Sequence, residues 1–141
     1  MKILVSACLL GIPCRYDGKS KPNEKVISLK EKYEIIPACP ECLGGLTTPR
    51  PVAEISGARV IRCDGKDVTD EYNLGAQKAL EIARENDIKI AVLKSKSPSC
   101  SNKEIYDGTH TRKLISGKGI TARLLIKNGI KVIDEGELDS L

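Results

Sequence analysis

Three short apolar runs, each followed within a few residues by a cysteine, constrain the fold of this chain more than any other feature. The runs cover residues 3–5, 35–36 and 90–93, and the cysteines that follow them are Cys8, Cys39 and Cys100. Short apolar runs without alternating polar residues are typical of strands buried on both faces of a parallel sheet. Because the carboxyl ends of parallel strands meet at one edge, the sequence predicts that these thiols share a crevice there.

Stretches of helical period separate the apolar runs. One follows Asn23, a longer one follows Val68, and a third extends from about residue 121 to residue 128. The strands predicted around them cover residues 2–7, 34–38, 58–63, 88–93 and 131–133. This alternation predicts an α/β fold over residues 1–141: a single-domain sandwich with a mostly parallel sheet flanked by helices, and a site at the carboxyl ends of the strands.

Length and composition narrow the class of protein further. A chain of 141 residues is long enough to bury roughly 70% of its unfolded surface, so it does not need disulfide bonds. The sequence contains no apolar run of the roughly 18 residues that a membrane span needs and no signal-peptide pattern, so we predict a cytoplasmic protein without a membrane partner. The net charge of only +4 and the four tyrosines as sole aromatics argue against nucleic-acid binding.

Six cysteines in a cytoplasmic protein indicate metal binding or thiol chemistry. Three converging thiolates suit iron–sulfur clusters or zinc, and three ligands rather than four leave a metal position open for a substrate. The Cys39-Pro40-Glu41-Cys42 motif alternatively has the spacing of a redox pair, although Leu43-Gly44-Gly45 is a poor helix start. In a third interpretation the thiols are small buried hydrophobes. Spacing alone leaves the three interpretations open.

Further polar residues lie near the predicted crevice. Arg15, Tyr16 and Asp17 follow Cys8 closely and are candidate substrate contacts; alternatively, they form a turn with a surface charge. Arg50 and Glu54 are either substrate contacts or a surface ion pair with each other.

The other three cysteines and the single histidine are not assigned to the predicted site with the same clarity. Cys14 and Cys42 are candidate supplementary ligands, Cys63 is expected to fill space, and His110 is expected to be solvated.

Several motifs occur together in the order found in one bacterial family. They are Ala7-Cys8-Leu9-Leu10-Gly11, Cys14-Arg15-Tyr16-Asp17-Gly18, Cys39-Pro40-Glu41, Pro49-Arg50, Ser97-Pro98-Ser99-Cys100 and Tyr106-Asp107-Gly108. Through them the chain resembles the thiouracil desulfidases, a family formerly described as a domain of unknown function, from residue 3 to about residue 135.

The resemblance implies a cofactor, an activity and roles for named residues. It implies a [4Fe-4S] cluster held by Cys8, Cys39 and Cys100, whose fourth iron takes the sulfur of a thiolated pyrimidine, while Glu41 and Ser97 act on the substrate. The expected reaction is hydrolytic: a thiocarbonyl becomes a carbonyl and hydrosulfide leaves without net electron transfer. The alternatives are the same chemistry on another thiolated compound, or a non-catalytic protein that binds a cluster or another metal such as zinc.

The chain departs from the family pattern at three positions. Cys42 follows the Cys-Pro-Glu motif, Ser101 stands where glycine is usual, and His110 stands where an aromatic such as phenylalanine is common. Cys42 is therefore a possible competing ligand, and the other two residues bear on the shape of the pocket.

Overall fold

Eight strands and four helices form in the computed structural model, which describes residues 1–141. The strands are Lys2–Ser6 (β1), Glu34–Ala38 (β2), Ala53–Ser56 (β3), Arg59–Arg62 (β4), Ile90–Leu93 (β5), Glu104–Tyr106 (β6), Leu114–Ser116 (β7) and Lys131–Asp134 (β8). The helices are Glu24–Ile27 (α1), Pro40–Leu43 (α2), Thr69–Glu85 (α3) and Ile120–Lys127 (α4). Single 3₁₀ turns occur at Ala7–Leu10, Ser28–Glu31 and Leu138–Ser140.

A four-stranded parallel sheet in the order β2-β1-β5-β8 forms the centre of the fold. Val5 of β1 pairs with Pro37 of β2 on one side and with Val92 of β5 on the other. The chain runs outward from β1 to β2 and then continues on the opposite side of β1, so the strand order reverses at β1. Such reversal points open the crevices in which parallel sheets bind ligands. The predicted α/β fold with a mostly parallel sheet is confirmed.

The two faces of the sheet are covered by different elements. Leu4 and Ala91 point to the face on which the buried residues of α3 and α4, such as Leu80 and Leu125, pack. Alternate residues of the same strands, such as Val5, point to the other face and pack against Val26 of α1. This double cover explains why the central strands have continuous apolar sequences.

Polar side chains lie at the starts of α1 and α3, whereas no side chain caps α2 or α4. The cap position of α1 is Asn23, as predicted, and that of α3 is Val68, which Asp67 precedes. The Asn23 side chain accepts a hydrogen bond from the Val26 amide at 3.1 Å, and Asp67 accepts one from the Thr69 amide at 2.9 Å. However, α1 is a single turn that continues as a 3₁₀ turn, so it is shorter than the apolar spacing suggested. The predicted third helix agrees with α4 to within one residue.

Two antiparallel hairpins lie outside the central sheet. In one, β3 pairs with β4, and in the other, β6 pairs with β7. Of these four strands the sequence predicted only β4, within the strand expected over residues 58–63. The hairpins cover a small separate core with α3, formed by Ala53, Ile55, Val60, Val68, Tyr72 and Ile105.

The turn after Cys39 is helical, which corrects the expectation that the Cys-Pro-Glu-Cys motif would not open a helix. Pro40 occupies the first position of α2, where its missing N–H costs nothing, and the helix ends after one turn at Gly44. This turn lies directly on α3, because a Cβ atom at Gly75 would stand 1.9 Å from the Pro40 carbonyl oxygen, and one at Gly44 would stand 1.9 Å from that of Glu71.

None of the helices combines the length and apolar character needed to cross a bilayer.

Candidate active site

A cavity of about 170 Å³ opens beyond the carboxyl ends of β1, β2 and β5. Cys8, Cys39 and Cys100 all line it, as do Glu41 and Ser97. These residues come from three different strand ends. The fold thus brings Cys8 together with Cys39, 31 residues later, and with Cys100, a further 61 residues along the chain. The predicted convergence of the three thiols on one crevice is therefore observed.

Local structure fixes each of the three cysteines. Cys8 is buried in the 3₁₀ turn that follows β1, and Cys100 is buried in the loop after β5. Cys39 is half-buried at the start of α2, and its Sγ lies 3.7 Å from the Cys14 carbonyl oxygen. Cys14 is itself buried at the cavity wall, so four thiols line this cavity.

Burial and contact between neighbouring thiols raise the pKa values of Cys14, Cys39 and Cys100. For Cys14 the contact with Cys39 lowers the pKa, but contact with Cys8 and burial outweigh it and raise the pKa to about 11. The hydrogen bond to Cys14, followed by burial, raises the pKa of Cys39. Burial, with the nearby Glu41 carboxylate, raises the pKa of Cys100 to about 12. Thiols in such surroundings become thiolates when a bound cation offsets the charge, so metal binding here releases protons.

The donor set fits an iron–sulfur cluster better than a single ion. Thiolate sulfurs that bind one zinc ion each lie about 2.3 Å from it, so they must also lie close to one another. No three histidine, cysteine, aspartate or glutamate side chains are arranged in that way. In a cluster each thiolate binds a different iron, so separated soft donors around one cavity suit it.

Glu41 is held by a buried ion pair with Arg50. Arg50 Nη2 lies 3.2 Å from Glu41 Oε2, and the side chains are 5% and 15% exposed. Arg50 also donates to the carbonyl oxygens of Cys14 and Thr47, each at 3.1 Å. Burial raises the pKa of Glu41, and Arg50 acts against this rise. The expected surface pair between Arg50 and Glu54 does not form, and the bonds of Arg50 favour a role in positioning Glu41.

Ser97 is organised by the loop that carries Cys100. Its Oγ accepts hydrogen bonds from the amides of Ser99 at 3.1 Å and Cys100 at 3.0 Å. Because both bonds use the oxygen as acceptor, the hydroxyl proton stays available to a ligand in the cavity.

The three residues after Cys14 divide between the cavity and the surface. Arg15 and Tyr16 line the cavity, and the Arg15 guanidinium lies 5.5 Å from the centre of the Tyr16 ring. Asp17 is not among the residues that line the cavity. Its carboxylate instead accepts a hydrogen bond from the Lys19 amide at 3.0 Å and lies 3.9 Å from Arg15, so it stabilises the turn.

Comparison with known proteins identifies the family. Residues 3–137 match the family model of the 2-thiouracil desulfurases. The chain belongs to this family. It is 44% identical to YbbK of Bacillus subtilis (strain 168), named as an uncharacterized protein, over 99% of both chains. The solved structure of TudS, a [4Fe-4S]-dependent thiouracil desulfidase, matches with a TM-score of 0.95 and 44% identity over 99% of this chain and 94% of that one.

In this member of the 2-thiouracil desulfurase family, two further basic residues that were not predicted from the sequence, Lys94 and Arg112, line the cavity. Lys94 follows β5 directly, and its ammonium lies 3.1 Å from the Glu135 carboxylate. Like the three cysteines, it lies at the carboxyl end of a parallel strand. Burial alone would raise the pKa of Glu135, but backbone N–H donors and the Lys94 ammonium lower it. Arg112 lies on the β6–β7 loop, 3.7 Å above the Tyr106 ring, where no local sequence signal indicates it.

The other departures of this desulfurase-family chain lie around the cavity rather than in it. Cys42 is exposed, with its Sγ 3.5 Å from Thr48 Oγ1, and Cys63 is also exposed instead of filling the core. Ser101 is buried and donates to the Glu104 carbonyl oxygen. The expectation of a solvated His110 is wrong, because its side chain is only 26% exposed and lies against the buried Glu54.

Proposed function

We propose that this protein is a [4Fe-4S]-dependent desulfidase that converts the thiocarbonyl of a thiolated pyrimidine such as thiouracil into a carbonyl and releases hydrosulfide. The observation that carries the proposal is the convergence of Cys8, Cys39 and Cys100 on one cavity with Glu41 and Ser97. Family membership and the 44% identity to the solved desulfidase support it. One water is consumed for each hydrosulfide and proton released, so no electron donor is needed.

Cys8, Cys39 and Cys100 are the proposed cluster ligands. When bound, the cluster supplies a soft Lewis acid that attracts the thiocarbonyl sulfur and makes the attached ring carbon more electrophilic. Three protein ligands leave one metal position for this sulfur.

Glu41 is the proposed proton-transfer residue. Arg50 occupies Oε2 of its carboxylate and leaves Oε1 without a side-chain partner. A carboxylate fixed on one side and open on the other can accept a proton from the attacking water and return it to a ring nitrogen. Its raised pKa brings it closer to the pKa of a base that works near neutral pH.

Ser97 is the proposed hydrogen-bond donor to the substrate. Its oxygen is fixed by the amides of Ser99 and Cys100, so its proton points away from these two bonds. A hydroxyl held in this way loses little entropy when it binds a heteroatom of the pyrimidine.

Basic side chains predominate on the cavity wall. Arg15, Lys94, Lys96 and Arg112 accompany Arg50, whereas Glu41 is the only acidic residue among the lining side chains. A cationic wall stabilises negative charge that develops during the reaction, including that of the departing hydrosulfide.

Turnover of thiouracil after anaerobic reconstitution with iron and sulfide tests the proposal. We expect uracil and hydrosulfide in equal amounts, with the new carbonyl oxygen derived from solvent when the reaction is run in ¹⁸O-labelled water. A requirement for stoichiometric reductant would exclude the hydrolytic reaction. Absence of turnover by cluster-loaded protein on thiouracil, together with turnover of another thiolated compound in the same panel, would change the assigned substrate.

A further inference from the structure

Glu54 on β3 is a buried carboxylate outside the proposed chemistry. Its side chain is 1% exposed, which is uncommon for a carboxylate unless it is paired. Oε1 accepts hydrogen bonds from the amides of Gly108 at 3.0 Å and His110 at 3.3 Å. Oε2 lies 3.7 Å from His110 Nδ1, and both of these buried atoms lack a hydrogen-bond partner. Both oxygens of Glu54 thus face one segment, which we name the arginine loop, residues 107–113.

Three residues of the arginine loop have left-handed backbone conformations. His110 and Arg112 both have a φ of 62°, in the left-handed region that residues other than glycine seldom adopt. Gly108 has a φ of 90°, and a Cβ atom there would lie 2.6 Å from the Ile55 carbonyl oxygen. Surrounding contacts must hold such conformations in place. The Glu54 carboxylate provides two of these contacts from the adjacent strand.

The arginine loop carries Arg112 into the proposed active site. Arg112 and Tyr106 both line the cavity, and the guanidinium carbon lies 3.7 Å from the centre of the Tyr106 ring. A guanidinium placed on an aromatic ring offers N–H donors and a flat cationic face, both of which suit a pyrimidine. The place of Arg112 therefore depends on the path of the loop, and the loop is anchored at Glu54.

We propose that Glu54 is a positioning residue that ties the arginine loop to β3 and so places Arg112 for substrate binding. The proposal rests on the proposed desulfidase function for its effect on substrate. The anchoring itself follows from the contacts of Glu54 alone. Because Glu54 does not line the cavity, its effect reaches the substrate through Arg112.

A double-mutant cycle with Glu54→Ala and Arg112→Ala on the cluster-loaded enzyme tests the proposal. We expect Glu54→Ala to raise KM for thiouracil about tenfold with kcat and the cluster absorption spectrum nearly unchanged, because one charged contact to substrate is lost. Arg112→Ala should raise KM by a similar factor. The double variant should be no worse than either single variant, because both changes remove the same contact. Additive effects on KM would overturn the proposal.

Glu54→Gln is the conservative control, since its amide oxygen can still accept from the two backbone N–H groups. It should retain a KM close to that of the wild type, and a KM raised as far as in Glu54→Ala would contradict the anchoring role. This variant keeps the test decisive if Glu54→Ala folds poorly.

Hydrogen exchange separates the anchoring from the desulfidase activity. In Glu54→Ala, amides of residues 107–113 should exchange faster than in the wild type, while those of β1 should not change. Unchanged exchange in the loop would overturn the proposal even if the enzyme acts on thiouracil. Faster exchange in a protein that does not act on thiouracil would leave the anchoring intact and reject the proposed function instead.

Discussion

Glu41 experiences two opposing influences, since burial raises its pKa and the Arg50 guanidinium acts against that rise. Replacement by glutamine keeps the size of the side chain and its bond to Arg50 but removes the base. We expect Glu41→Gln to keep a normal cluster spectrum and to lower kcat by about 100-fold or more. Glu31→Gln, on an exposed 3₁₀ turn, is the matched control and should leave the rate unchanged. A near-native rate in Glu41→Gln would reduce Glu41 to a structural partner of Arg50.

Individual cysteine replacements distinguish ligands from bystanders. We expect Cys8→Ser, Cys39→Ser and Cys100→Ser each to lose most bound iron, because a serine oxygen is a harder and poorer donor to iron than a thiolate. Cys14→Ser, Cys42→Ser and Cys63→Ser should retain it. Iron and sulfide analysis of the six purified variants gives the answer. Iron retained in Cys39→Ser but lost in Cys42→Ser would move the ligand to the other end of α2.

For single residues, the sequence predicts which side chains at the carboxyl ends of strands reach the cavity. It does not predict those whose position depends on the conformation of a loop. The position of Cys8, Cys39 and Cys100 follows from the geometry of parallel strands, and the same rule would have found Lys94. For Asp17 the sequence left a turn and a substrate contact open, and the structure shows the turn bond, in which the carboxylate accepts from the Lys19 amide. Glu54 accepts hydrogen bonds from the amides of Gly108 and His110, which lie 54 and 56 residues later in the sequence on the loop that carries Arg112. No local sequence pattern predicts these contacts.

Among the elements, the contact of α2 with α3 controls the geometry of the site. A Cβ atom at Gly75 would lie 1.9 Å from the carbonyl oxygen of Pro40. This oxygen belongs to the backbone, so a side-chain rotation cannot relieve the clash. We therefore expect Gly75→Ala to push α2 away from α3 and to destabilise the fold by about 1–3 kcal/mol. Because Cys39 and Glu41 flank Pro40, iron content and turnover should fall with it.

The control for this prediction is Gly57→Ala, at a glycine whose Cβ atom would meet nothing within 4 Å. Its positive φ of 60° gives a backbone cost without a clash. Urea unfolding and iron analysis should show a loss of stability in both variants but a loss of iron only in Gly75→Ala. Full iron content in Gly75→Ala would show that α2 tolerates displacement.

The sequence predicts long or fully apolar elements well and short antiparallel ones poorly. The central strands have continuous apolar runs and α3 has a long apolar stripe of helical period, and their positions agree with the prediction. By contrast, β6 and β7 have three residues each, and β3 follows two prolines. Strands that short take their stability from the hydrophobic cluster around Tyr72, and contacts between distant residues create that cluster.

For the whole molecule, acid should weaken the fold through its paired carboxylates. The Thr69 hydroxyl and amide and the Arg59 guanidinium lower the pKa of Asp67 to about 2, and the backbone donors and Lys94 lower that of Glu135. A pKa that is lower in the folded than in the unfolded chain adds stability above the unfolded value and loses it as pH falls. We expect the free energy of unfolding to decrease from about pH 4.5 towards pH 2.

Urea unfolding of the iron-free protein at several pH values measures this dependence. Glu135→Gln removes one of the contributing groups, so its stability should fall less steeply over the same interval than that of the wild type. Lys89→Gln, which lies in an exposed pair with Asp87, is the control and should follow the wild-type curve. If the free energy of unfolding falls equally steeply with pH in Glu135→Gln and in the wild type, Glu135 does not contribute to the acid sensitivity.

The separate origins of the three cavity thiols have a mechanical consequence. A cofactor bonded to the proposed ligands Cys8, Cys39 and Cys100 would join the ends of β1, β2 and β5 and close chain segments of 31 and 61 residues. A clip across long segments restricts the unfolded chain more than the folded one. The cofactor would therefore fasten one edge of the sheet and stabilise the folded chain.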